Sequence, residues 1–150
     1  GMVVNLGLFT HFNLFFQGQQ IFPASVWTIT LFIVIFTIAI AIFKDVPDLE
    51  GDRKYNINTF TILLGKSAIF NFSRWLITAC YLGTIVASIF YLPQVNLWFL
   101  ILSHLGLLAL LWWRSQEVNL DDKQAIADFY QFIWKLFFWE YLLFPMALIL

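Results

Sequence analysis

Three aspartates, Asp45, Asp48 and Asp52, stand close together in the segment KDVPDLEGDRKYNINTFTILLGK, residues 44–66. On a helix the spacing i, i+3, i+7 places such residues within roughly 60° of one another, on one face. Pro47 disfavours α geometry at Val46, so a new helical turn can begin at Pro47. Asp48 and Asp52 then still share a face, one turn apart. Like charges so near each other repel unless a cation sits between them. Hard carboxylate oxygens suit Mg²⁺, which takes one or two protein carboxylates and completes its shell with water and phosphate oxygens. Arg53 and Lys54 follow immediately as phosphate-binding cations, and Gly51 lets backbone approach a ligand closely. The chemistry that fits is a magnesium-bound diphosphate. A solvated interhelical loop of mixed charge fits the same spacing, and spacing alone does not choose between the two.

The elements that must position these acids are apolar. Hydrophobic residues make up 61% of the 150, aromatic residues 20% and charged residues only 11%, against about a quarter charged in a soluble globular chain. The mean hydropathy is +0.82, and the apolar residues fall in long runs. Residues 24–43, 75–92 and 95–113 approach the roughly 20 residues needed to cross a bilayer core. Residues 129–150 do so apart from Lys135 and Glu140, and residues 3–16 read as a partial span. A spanning segment must satisfy its own backbone polar groups, so an all-α transmembrane fold is expected. The β-branched run TITLFIVIFTIAIAIF shows no period-2 alternation, and its length favours a helix over a strand.

The connections at 17–22 and 91–96 carry no charge, whereas those at 44–73 and 114–128 hold nearly all of it. Alternating spans put both charged connections on one face, and the positive-inside rule makes that face cytoplasmic, or stromal in a plastid. The net charge of −1 offers no basic surface, and no nucleic-acid partner is expected. The single cysteine, Cys80, lies in an apolar run, so no intrachain disulfide forms, and a small core or lipid-facing role suits it.

Other polar residues favour structural readings. His11 reads as a buried or interfacial histidine ahead of a base. His104, beside Ser103, reads as an interhelical hydrogen-bond partner ahead of a catalyst. Arg74 reads as an interfacial anchor ahead of a substrate ligand. Lys135 and Glu140 either pair with other helices or line a cavity. Adjacent acids such as Asp121 and Asp122 point in different directions on a helix, so Asp122 and Lys123 read as helix-start and solvated residues ahead of a third metal site. The tryptophans suit interfacial belts, or cavity walls that shelter a cation. Pro93 marks a turn, and Pro145 is expected to kink the last span.

The string KDVPDLEGDRKYNINTFTILLGK resembles the second aspartate-rich motif of the UbiA superfamily of membrane prenyltransferases. Its KD-x-PD-x-EGD-R/K core, followed by I-x-T and LG, is most similar to the homogentisate prenyltransferase branch, which serves tocopherol and plastoquinone synthesis. The opening VVNLGLFTHF is similar to the segment that precedes this motif there. The resemblance implies a bundle of nine spans, of which this chain carries about five, with two acidic motifs facing a central cavity. It implies Mg²⁺ bridging Asp48 and Asp52 to the diphosphate of a phytyl-type donor, with Asp45 as an additional acid common in this branch. The implied reaction ionises the allylic diphosphate, and the electron-rich ring of homogentisate then attacks, with loss of its carboxylate as CO₂. The implied location is a cyanobacterial or plastid membrane.

The family's first motif, N-x-x-x-D-x-x-x-D, occurs nowhere in the 150 residues. Together with a start of Gly1 before Met2, this predicts a C-terminal half that needs the missing N-terminal half as partner and is inactive alone. Chlorophyll synthase or another quinone-biosynthetic prenyltransferase is the alternative within the superfamily. Outside it stand a cation-binding transporter segment and a half-enzyme kept as a structural partner. A transporter would place its charges at broken helices near the midplane, whereas this acidic cluster sits at a span end.

Overall fold

The computed structural model describes residues 2–16, 23–47 and 60–150. Six helices account for nearly all of them: α1 (Met2–Phe16), α2 (Ala24–Phe43), α3 (Phe60–Leu64), α4 (Lys66–Tyr91), α5 (Leu97–Gln116) and α6 (Lys123–Ile149). No strand occurs among the described residues. Four of these helices, α2, α4, α5 and α6, are long and apolar enough to cross a membrane. The expected all-α transmembrane fold is what the chain adopts.

The β-branched residues of α2 are accommodated because a helix satisfies every backbone group internally. Two of its three threonine hydroxyls are satisfied locally, Thr28 Oγ1 donating to Ala24 O at 2.9 Å and Thr37 Oγ1 to Ile33 O at 2.6 Å, while Thr30 Oγ1 is buried without a partner. The expected span 24–43 coincides with α2. Two other helices start well before the apolar segments that announced them. α4 begins at Lys66, ahead of the expected 75, and α6 at Lys123, ahead of 129. Hydropathy marks only the part of a helix that lies in hydrocarbon. With 26 and 27 residues, these helices are roughly 40 Å long at 1.5 Å per residue, about 10 Å more than the apolar core. The excess carries Lys66 and Lys123. α5 runs from Leu97 to Gln116, shifted from the expected 95–113, because Asn96 caps it through Phe99 N at 3.1 Å.

Helix ends follow local chemistry. Gly65, at φ 87°, separates α3 from α4 in a conformation that side chains disfavour. Asp122 caps α6 by accepting from Gln124 N at 2.9 Å, while Asp121 is exposed. α6 passes through Pro145 and ends only at Ile149.

α2 packs on α4, α4 on α5, α5 on α6 and α6 back on α2, closing a four-helix bundle, with α1 against α2. The core between them is aromatic: Phe36 meets Tyr81 edge-on at 6.1 Å and Phe137 at 5.5 Å. Outside, Leu102, Leu110, Val86 and Ile89 are exposed, as a lipid-facing surface requires. Contacts across the bundle identify its two ends. At one, Phe43 lies against Phe70 and Phe129 at 5.9 and 5.8 Å, and Lys66 Nζ reaches Leu120 O at 3.4 Å. At the other, Asn96 N donates to Ala147 O at 2.7 Å. Lys44, Lys66, Arg114 and Lys123 thus share one end, which is the basic end of the bundle.

Candidate metal and diphosphate site

The acidic segment leaves α2 at the basic end. Lys44 N donates to Ile40 O and Val46 N to Phe43 O, both at 3.0 Å, so the last turn tightens as the chain exits. Phe43 and Val46 are completely buried and hold the exit in the aromatic cluster of Phe70, Phe129 and Tyr130. Asp45, between them, is half-buried. Hydrophobic anchoring on both sides therefore fixes the first acid at the bundle end. Asp48, Asp52, Arg53 and Lys54 lie outside the described residues. Among the described residues no three His, Cys, Asp or Glu side chains group as metal ligands.

The electrostatics at Asp45 favour a cation. A helix C-terminus carries roughly half a negative charge, and a carboxylate placed there is destabilised by about 0.3–1 kcal/mol. Lys44 beside it offsets part of this. A divalent cation held by hard carboxylate oxygens fits the same place, by the chemistry of the donor set.

Two arginines at this end are already engaged. Arg74 Nη1 donates to Ser115 Oγ at 2.9 Å, and Nη2 donates to Asn71 Oδ1. The guanidinium lies 5.0 Å from the Phe70 ring and 4.7 Å from that of Trp112. Arg114 pairs with Glu117 at 3.0 Å. His11 is exposed on α1 and Cys80 is buried in the core.

Sequence reasoning did not join His104 to Glu140, which lie on different helices. In the bundle His104 Nε2 stands 3.3 Å from Glu140 Oε1, with the side chains 0% and 1% exposed. Ser103 Oγ donates to Leu100 O at 3.0 Å and stands 3.3 Å from His104 Nδ1. With the Ser103 proton on Leu100 O, the matching tautomer donates Nδ1–H to Ser103 and turns Nε2 to Glu140. Ionisable residues within spans normally face inward and pair, which is the signal the sequence did contain.

Four helices long and apolar enough to cross a membrane, packed as a bundle with Asp45 at its basic end, define an integral membrane protein. The model of the UbiA prenyltransferase family matches residues 1–136, and the chain belongs to that family. It is 53% identical over 148 residues to the homogentisate phytyltransferase of Synechocystis sp., covering 99% of this chain and 48% of that protein. It is 38% identical over 149 residues to the chloroplastic homogentisate solanesyltransferase of Arabidopsis thaliana, covering 97% and 38%. It is also 34% identical over 146 residues to the chloroplastic naringenin 8-dimethylallyltransferase 2 of Sophora flavescens, covering 95% and 35%. The chain spans about half the length, or less, of the curated relatives it matches. No solved structure gives a significant match.

Proposed function

We propose that the protein to which this chain contributes transfers a phytyl-type prenyl group from its diphosphate to homogentisate, with loss of CO₂, in tocopherol or plastoquinone synthesis. The observation that carries this reading is the 53% identity, along 99% of the chain, to a homogentisate phytyltransferase. Asp48 and Asp52, with Asp45, would hold Mg²⁺, and Arg53 and Lys54 would hold diphosphate oxygens. A bound metal would supply charge neutralisation to the departing diphosphate. The chain's own part is to fix Asp45 at the bundle end through Phe43 and Val46 and to offer aromatic walls to the allylic cation. The site opens on the cytoplasmic or stromal face of a cyanobacterial or plastid membrane. Residues 1–150 supply about five of nine spans, and the other half supplies a facing acidic motif without which they are inactive.

The test is an assay of the full-length protein in membranes, with homogentisate and a panel of phytyl, geranylgeranyl and solanesyl diphosphates. Transfer to homogentisate is expected. It should be abolished by EDTA, restored by Mg²⁺, and lost in Asp48→Ala and Asp52→Ala at unchanged expression. Full activity of both variants would refute the metal assignment, and turnover by residues 1–150 alone would refute the need for the other half. The Sophora relative, named for a flavanone acceptor, makes naringenin the comparison acceptor. Turnover of naringenin without homogentisate would replace the acceptor assigned.

A further inference from the structure

α6 has one long face that the bundle leaves uncovered. Gln124, Asp128, Gln131 and Lys135 are all exposed on it, within roughly 60° of arc at 100° per residue. Phe138, Trp139 and Leu142 continue the same face and are 58%, 50% and 58% exposed. The opposite face, with Phe129, Ile133, Leu136 and Phe137, is buried in the core. The uncovered face is thus polar from the basic end down to Lys135 and aromatic beyond it.

The depth of Lys135 follows from a contact. Its neighbour Leu136 accepts from Tyr81 OH at 3.0 Å. Tyr81 lies six residues beyond Trp75, an exposed tryptophan of the basic side. Six residues are about 9 Å along a helix, so Lys135 stands roughly that far inside the tryptophan level. Side chains on α6 tilt toward its N-terminus, which lets the ammonium rise by less than this depth. Among the described residues Lys135 has no hydrogen-bond or ion-pair partner. An unpaired ammonium at that depth, at the foot of a polar stripe, belongs in a water-filled cavity and not in lipid. Beside it is a shallow, open groove on the helix surface lined by Lys135, Phe138, Trp139 and Leu142.

We propose that this face of α6 lines the substrate cavity and that Lys135 binds the carboxylate of the aromatic acceptor, whose ring lies against Trp139 and Phe138. This rests on the reading of the protein as a prenyltransferase acting on homogentisate. The ammonium matches a carboxylate, and the ring faces match a flat aromatic body. The donor's diphosphate is the other anion in this reaction, and in the proposed function its charge is assigned to Arg53 and Lys54, which follow the acids in sequence. Lys135 lies deeper, where a small acceptor reaches beneath the diphosphate. No bond-making step is assigned to it.

The test uses the full-length protein carrying Gln131→Cys, with the buried Cys80 left in place and Leu102→Cys on the lipid-facing side of α5 as control. A charged, membrane-impermeant thiol reagent should modify Gln131→Cys and leave Leu102→Cys untouched. Homogentisate should slow the modification. Adding Lys135→Met should raise the homogentisate concentration needed by about tenfold or more, the scale of one charge-assisted hydrogen bond, and Lys135→Arg should recover most of it. An unreactive Gln131→Cys overturns the proposal, since the face then lies in lipid or against protein. So does an effect of Lys135→Met on protection by inorganic pyrophosphate with Mg²⁺ alone, which would move the ammonium to the donor. Turnover of homogentisate by the unsubstituted protein is read separately. Turnover alongside either overturning result removes only the role of Lys135, whereas absence of turnover removes the reading beneath it.

Discussion

Replacing Glu140 by Ala removes the partner of His104 Nε2, which is 3.3 Å away and fully buried. In a soluble core, breaking a buried ion pair costs about 3–5 kcal/mol because a charge is stranded. Here the hydrogen bonds argue for less. Nδ1–H is retained by Ser103, so the histidine can remain as a neutral ring with one unmet acceptor, at about 1–3 kcal/mol. Interhelical hydrogen bonds measured within membranes are worth only about 0.6 kcal/mol on average, which also points to the low end. Loss of the buried side chain adds a cavity between α5 and α6 at about 24 cal/mol per Å³. A total near 2–3 kcal/mol is expected for Glu140→Ala. Glu140→Gln offers an amide N–H to Nε2 and should cost under about 1 kcal/mol. The pair of apolar replacements His104→Leu with Glu140→Leu should cost less than either alone, because neither polar group is then left unpaired. The assay is reversible unfolding of the full-length protein in bicelles or mixed detergent. Should Glu140→Gln prove as damaging as Glu140→Leu, the hydrogen-bond account fails, because charge and not hydrogen bonding would be what the site requires.

Gly65→Ala should cost about 1–3 kcal/mol, since φ 87° with ψ 155° belongs to glycine. A Cβ there would meet nothing within 4 Å, so thermal unfolding would report backbone strain alone. Asp122→Ala removes the bond to Gln124 N and should lower stability by about 0.5–2 kcal/mol, with Asp122→Asn retaining most of it. Arg74→Gln should lower the melting temperature while leaving the KM for prenyl diphosphate unchanged. Arg53→Gln and Lys54→Gln should raise that KM at unchanged melting temperature, and the opposite pattern would exchange the two roles.

The span 24–43 was legible to the residue because α2 lies in hydrocarbon from end to end, where composition and helix coincide. α4 was not, since its first turns, from Lys66 to Arg74, are amphipathic and lie outside the apolar core. Hydropathy is blind to a helix that continues into the headgroup region. Asp122 was legible as a helix start because capping is decided by neighbours along the chain. The pairing of His104 with Glu140 depends on α5 and α6 meeting in one rotational setting, and a single sequence carries no record of that. The acidic motif was legible through its spacing and its resemblance, and its first residue, Asp45, indeed lies at the end of α2. The proposed convergence of Asp45, Asp48 and Asp52 on one ion would be a tertiary property, and Asp48 and Asp52 fall outside the described residues.

The distribution of charge at the basic end narrows what can serve a diphosphate there. Lys66 is spent on Leu120 O, Arg74 on Ser115 and Asn71, and Arg114 on Glu117. Each of these contacts ties helices or their connections together: α4 to the α5–α6 connection, α4 to α5, and the end of α5 to its own exit. Moving Lys66 or Arg74 onto a ligand would break a contact between α4 and its neighbours at the bundle end, whereas the exposed Arg114–Glu117 pair is local to the end of α5. Lys44 and Lys123 are exposed at this end, and the sequence supplies Arg53 and Lys54 directly after Asp52, on the same stretch of chain as the proposed metal ligands. A segment that carries both the proposed metal-binding acids and the proposed phosphate-binding bases lets one stretch of chain answer a metal–diphosphate complex, while Arg74 keeps its bonds within the bundle.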